Sequence, residues 1–254
     1  MRRHQLSEMS WEDAREVVSA GGAVVLLPIG STEQHGRHLP LGTDTYAAID
    51  LTERAAELTG AVVAPPLWYG MSGHHMELPG TMTVRPEILL EFVYDMIRSL
   101  ASGGFSRFVL VNGHRIANIP WMQLVCERAE REIGGCRTEI FDPAYMSREI
   151  GGRLGFGPVG HADEIETSHL LVSRPDLVDM ARAEDHPAEE IDLYHVDPRE
   201  AKDTLAYVAR PMNAPEETGG VKGSPSRANR EKGECYRDHL VRRLVAVIER
   251  MRRD

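Results

Sequence analysis

Apolar positions in this chain fall into two kinds of block. Short runs at 23–27, 61–64 and 107–111 are apolar almost throughout. They predict strands buried on both faces, and 137–141 predicts a fourth. Between them lie longer stretches with helical spacing. One covers 11–20, with Ser10 as N-cap ahead of Glu12 and Asp13 and with Gly21-Gly22 at its end. A second covers 45–58 and stops at Gly60. A third opens at Pro86, where a first-turn proline costs nothing, and runs to about 102. Further helices are expected over 121–133, 163–173 and 231–253, and an irregular Pro-, Asp- and Glu-rich segment over 183–223.

Strands alternating with helices predict an α/β fold with a mainly parallel sheet covered on both sides. No repeat or low-complexity linker divides the 254 residues, so one domain over 1–254 is expected. In such folds the site sits beyond the carboxyl ends of the strands.

Charge narrows the partners. The formal charge is −10, against broad nucleic-acid or anionic-membrane binding, which needs basic surface. The basic cluster Arg242, Arg243, Arg250, Arg252 and Arg253 reads as the solvated face of the last helix. Cys126, Cys136 and Cys235 are odd in number and far apart, which fits a reducing cytoplasm and no disulfide framework. No run approaches the roughly 18–20 apolar residues of a membrane span, and no secretion signal is evident.

The chemistry gathers just past the strands. After the first, which is expected to stop at Pro28 and Gly30, come Glu33, His35 and Asp44. Glu33 and His35 are two apart, so an extended backbone turns both to one side. Taken alone, such a Glu-x-His in a loop is usually solvated. Yet carboxylate with imidazole is also the donor set of zinc, manganese or iron. His114 occupies the matching place after the third strand, where Asn112-Gly113 provides a tight turn. The Gly-rich loop after the second strand carries His74-His75, a candidate substrate contact or lid. Asp163 and Glu164 suit a helix N-terminus by charge alone. Glu166 lies on an apolar side of that helix, where a carboxylate needs a partner or a metal. Glu33, His35, Asp44, His114 and Glu166 are therefore the candidate metal ligands, with Asp44 bridging if two ions bind. His161 is the candidate proton carrier, and Glu166 is a second candidate for acid–base work.

Five motifs in order resemble the creatininase (creatinine amidohydrolase) family, from about Trp11 to Glu234. They are Leu-Pro-Ile-Gly-Ser-Thr-Glu-Gln-His-Gly (27–36) with Gly-Thr-Asp (42–44), Pro-Gly-Thr (79–81), Val-Asn-Gly-His (111–114), Gly-His-Ala with Glu-Thr-Ser (160–168), and Gly-Val-Lys-Gly-Ser-Pro with Glu-Lys-Gly-Glu (220–234). The resemblance implies a three-layer α/β/α sandwich, often assembled as hexamers, and a hydrolytic site with two divalent ions, zinc or manganese first and iron next. It matches Glu33, His35, Asp44 and His114 to metal ligands and His161 to a histidine of proton transfer.

The chain also departs from the family pattern. Creatininase has a ligand glutamate two residues after the motif histidine, where this chain has Ile116, and the spacing from His114 to Asn118 is longer by one. Glu166 is assigned as the replacement ligand. Tryptophans that wall the creatinine pocket are missing from 141–147 and 156–160. The expected reaction is hydrolysis of a small polar cyclic amide other than creatinine. Opening of an oxidised inositol ring at a carbon–carbon bond is the alternative, and a non-catalytic metal-binding homologue the second alternative. Arg115 and His75 are the candidate substrate-binding residues. Arg115 has two roles open to it: pairing with a substrate oxygen, or a structural salt bridge.

Overall fold

The computed structural model describes residues 4–115, 117–187 and 216–253. Four strands, β1 (Val24–Ile29), β2 (Val62–Val63), β3 (Arg107–Asn112) and β4 (Arg137–Phe141), form one sheet in the order β2-β1-β3-β4. All pairings are parallel, with Val25 opposite Val62 and Phe108, and Val109 opposite Glu139.

Side chains of a strand alternate between faces, and both faces of this sheet are covered. Val24, Leu26, Val109 and Val111 pack on one side against α2 (Thr43–Thr59) and α8 (Arg230–Arg253), through Leu51, Leu240, Leu244 and Ile248. Val25, Leu27, Ile29, Phe108 and Leu110 pack on the other against α3 (Pro86–Ser102) and α4 (Ile119–Glu132), through Val93, Ile97, Trp121 and Val125. α1 (Trp11–Ser19) joins this second layer through Val17 and Val18. The result is the α/β/α sandwich expected. α1 begins with a reciprocal capping box between Ser10 and Asp13.

Boundaries differ in informative places. β1 continues through Pro28 to Ile29, two residues past its expected stop. The Pro28 carbonyl accepts from Leu67 N–H at 2.9 Å. Pro28 has no N–H to give to the same side, and there β2 has already ended at Val63, ahead of Pro65-Pro66. α2 begins at Thr43, which places Asp44 in its first turn. α5 (Pro143–Met146) and α6 (Arg148–Leu154) have no counterpart in the sequence reading. α7 (Glu164–Ser173) is capped by Asp163, whose side chain accepts from Ile165 and Glu166 N–H. Ile116 and most of the expected irregular segment 183–223 lie outside the described residues. Among the described residues no helix is long and apolar enough to cross a membrane.

Candidate metal centre

Two glycines let α2 sit directly on the edge of the sheet. A Cβ on Gly30, past β1, would fall 2.3 Å from Thr45 Oγ1, and one on Gly113, past β3, would fall 1.9 Å from the Asp44 carbonyl oxygen. Neither position admits a side chain. The first turn of α2 therefore drops between the ends of the two central strands and carries Asp44 with it.

Asp44 meets four other sequence-predicted ligands there. Its Oδ1 lies 3.1 Å from His35 Nε2, and its Oδ2 lies 2.9 Å from His114 Nδ1. Glu33 Oε1 is 3.3 Å from the same His114 nitrogen, and Glu166 Oε2 is 3.8 Å from His35 Nε2. Donor atoms fall into the sets Glu33–Asp44–His114 and His35–Asp44–Glu166, each within 4.8 Å, so Asp44 is common to both. A third set joins Glu33, His35 and His161. Glu33 and His35 are fully buried, and Asp44 and His114 nearly so.

The outer nitrogen of each histidine fixes its proton. His114 Nε2 lies 3.1 Å from the Met71 carbonyl, His35 Nδ1 3.2 Å from the Glu33 carbonyl, and His161 Nε2 2.6 Å from the Gln34 carbonyl. A carbonyl oxygen only accepts, so those nitrogens donate. In a neutral ring the remaining nitrogen is then a lone pair, and all three lone pairs face carboxylate oxygens. Glu33 Oε1 and Asp44 Oδ2 have no hydrogen-bond partner although both are buried. Lone pairs aimed at unpartnered anions need a cation between them, so these residues fit a divalent metal.

Protons answer the same demand when no metal does. Burial opposes charge on His35, but Asp44, with Glu166 and Glu33 behind it, outweighs burial and raises the ring to about 9. His114 moves well above its ordinary value: burial again opposes, and Glu33 and Asp44 prevail. Glu33 is held below the carboxylate range, since His114 outweighs its burial. Burial and then the neighbouring His35 press His161 well below the ordinary imidazole value, so this ring is neutral.

Glu166 and Arg115 form a separate arrangement. Arg115 donates Nε to Glu166 Oε1 at 3.0 Å, and its Nη2 donates to that oxygen and to Asp163 Oδ2 at 3.2 Å. All three side chains are largely buried. Burial raises the Glu166 carboxyl despite Arg115. Its other oxygen, Oε2, takes the N–H of Ala162 at 2.7 Å. Ala162 holds φ at +50°, left-handed strain that a non-glycine residue adopts only under constraint.

His75 is buried against the same cluster. It accepts from Gln34 Nε2 at Nδ1 (3.0 Å), and its Nε2 lies 3.5 Å from Glu33 Oε1. Its ring stacks on His161 at 3.9 Å, and His74 stacks on His114 at 5.8 Å. Sequence reasoning passed over the uncharged supports. Ser31 Oγ donates to Glu33 Oε2 at 3.0 Å and pairs with Ser72. Gln34 also donates to the Gly220 carbonyl, tying the loop at 220 to the site. Ser31 and Gln34 flank Glu33 in sequence, and that proximity was the available signal.

The family model for creatininase, described as creatinine amidohydrolase, matches residues 7–248. The chain is 32% identical to creatinine amidohydrolase of Pseudomonas putida over 96% of this chain and 95% of that one. It is 28% identical to 3-dehydro-scyllo-inosose hydrolase of Thermotoga maritima (89% and 78%) and 32% identical to the mycofactocin precursor peptide peptidase of Mycolicibacterium smegmatis (91% and 86%). A crystal structure of creatinine amidohydrolase superposes with a TM-score of 0.81 at 30% identity, covering 98% of both chains. A manganese creatininase superposes at 0.80 (97% and 98%) and a creatininase variant of Zn–Zn type at 0.79 (98% and 98%), each at 30% identity. By fold, motif order and this match over nearly its whole length, the chain belongs to the creatininase family of hydrolases.

Proposed function

We propose that this protein is a dinuclear metal hydrolase acting on the carbon–nitrogen bond of a small polar cyclic amide other than creatinine. One observation carries the reading: Asp44 turns one oxygen to each of two donor sets, Glu33–His114 and His35–Glu166. Zinc and manganese suit these oxygen and nitrogen donors, with iron a third choice. When bound, such ions supply Lewis acidity that activates water and polarises a carbonyl at neutral pH.

The chain's own groups do the rest. Glu33 is oriented by Ser31, and His35 and His114 by backbone carbonyls. His161 holds its Nε2 proton against Gln34 and presents a neutral Nδ1, which takes a proton and returns it to the leaving nitrogen. Of the two roles open to Arg115, the geometry supports the salt bridge, since the guanidinium is spent on Glu166 and Asp163. His75 reaches the substrate's surroundings through Glu33. The absence of tryptophan from 141–147 and 156–160 supports a substrate other than creatinine.

A second reading, opening of an oxidised inositol ring at a carbon–carbon bond, is favoured by the similarity to the inosose hydrolase. Zinc- or manganese-loaded protein should be assayed against cyclic amides, formamides and keto-inositols. Turnover of an amide, lost in His35→Ala with the fold intact, supports the first reading. Turnover of keto-inositols alone replaces it with the second. The proposal includes a cytoplasmic homo-oligomer, a hexamer by resemblance, which light scattering would test.

A further inference from the structure

Asn118 is fully buried at the entrance to α4, and each of its four hydrogen-bonding positions is filled. Met71 N–H and Trp121 Nε1–H, both obligate donors, meet Oδ1 at 3.2 and 3.1 Å, which fixes the amide's orientation. Nδ2 donates to the Gly30 carbonyl and to Asn112 Oδ1, each at 3.3 Å. Asn112 donates in turn to the His114 carbonyl at 2.9 Å and to Asp142 Oδ2 at 2.7 Å. His114 closes the ring by donating Nε2–H to the Met71 carbonyl.

This ring joins four chain segments that are remote in sequence: the end of β1, the end of β3, the loop after β2 and the start of α4. The loop is pressed close. A Cβ on Gly70 would lie 2.8 Å from the Gly30 carbonyl oxygen and 3.1 Å from Asn118 Oδ1. Nothing else among the described bonds holds the Met71 N–H, and Met71 supplies the carbonyl that sets the His114 proton.

We infer that Asn118 is a positioning residue for His114. It seats the Met71 peptide, the peptide holds the proton on His114 Nε2, and Nδ1 is thereby left facing Glu33 and Asp44. Outer partners of this kind are worth about 10–100-fold in metal affinity. The inference rests on the reading of His114 as a ligand.

Zinc is the probe. Competition with a chromophoric chelator should show Asn118→Ala binding zinc about 10–100-fold more weakly than the parent protein. In zinc-saturated, 15N-labelled protein, the His114 Nε2–H should exchange with solvent faster in the variant. Unchanged affinity with a still-protected Nε2–H would overturn the inference. Where Asn118→Ala does not fold, Trp121→Phe decides, since it removes one donor from Oδ1: faster exchange supports the inference and unchanged exchange overturns it. Failure of the parent protein to bind zinc at all would instead remove the metal reading, and this inference with it.

Discussion

Arg115 commits Nε and Nη2 to one oxygen of Glu166, Oε1, and so leaves Oε2 turned toward His35. A carboxylate buried beside Asp44 and Asp163 would be costly without that cation. Removing it is therefore predicted to be severe. Arg115→Met should destabilise the fold by about 3–5 kcal/mol, read from urea denaturation, because two buried carboxylates lose their partner. Arg115→Met combined with Glu166→Gln should recover part of that loss. A single variant as stable as the parent protein would show that these carboxylates do not depend on Arg115.

Glu166 is proposed as the ligand that stands in for the family glutamate, whose place Ile116 holds here, and that role has its own readout. Glu166→Gln keeps the shape but removes the negative charge and one acceptor oxygen. Metal content per chain should fall, with the Glu33–Asp44–His114 set retained. Unchanged metal content would remove Glu166 from the ligands.

Acidity and metal compete for the same imidazole. In metal-free protein His35 is raised from 6.5 to about 9 by Asp44 against the opposing effect of burial. A ring that binds its proton more tightly when folded stabilises the fold fully below pH 6.5, and that contribution is lost as pH rises through 9. The gap corresponds to about 3 kcal/mol at most. Urea midpoints measured with chelator should therefore fall between pH 6.5 and 9. Zinc requires the neutral ring, so the stabilisation it adds should grow over the same range. A metal-free midpoint that rose with pH would contradict the charge balance described for the site.

The close approach of α2 to the sheet gives a steric test. Gly113→Ala would put a Cβ 1.9 Å from the Asp44 carbonyl oxygen, a backbone atom that cannot turn aside. We predict a loss of about 3 kcal/mol, with metal content reduced because Asp44 moves. Thermal unfolding and metal analysis of one preparation would check both.

Much of this was legible in the sequence, for physical reasons that differ by element. β1 and β3 showed as apolar runs because both of their faces are buried. The long helices showed through their spacing and caps. α5 and α6 did not, since they are short and α6 carries Gly151-Gly152 in its middle. Glu33, His35, Asp44 and His114 stood out because polar groups soon after strand ends are conspicuous, and Glu166 because a carboxylate on an apolar helix side is. Ser31, Ser72, Gln34 and Asn118 did not, because uncharged residues act through partners remote in sequence: Ser31 with Ser72, Gln34 with Gly220, Asn118 with Gly30. Asp44 is expected just ahead of the second helix, and the fold shows why it lies between the strand ends: α2 begins at Thr43, and two glycines clear the space for its first turn.

In the function we propose, Asp44 is shared by two ions. Metal per chain should be measured by mass spectrometry on protein purified without chelator or affinity-column metal, alongside Asp44→Asn. About two zinc or manganese ions per chain are expected in the parent protein, with loss at both positions in the variant. A parent protein holding a single ion, or an Asp44→Asn protein that keeps two, would contradict the proposal.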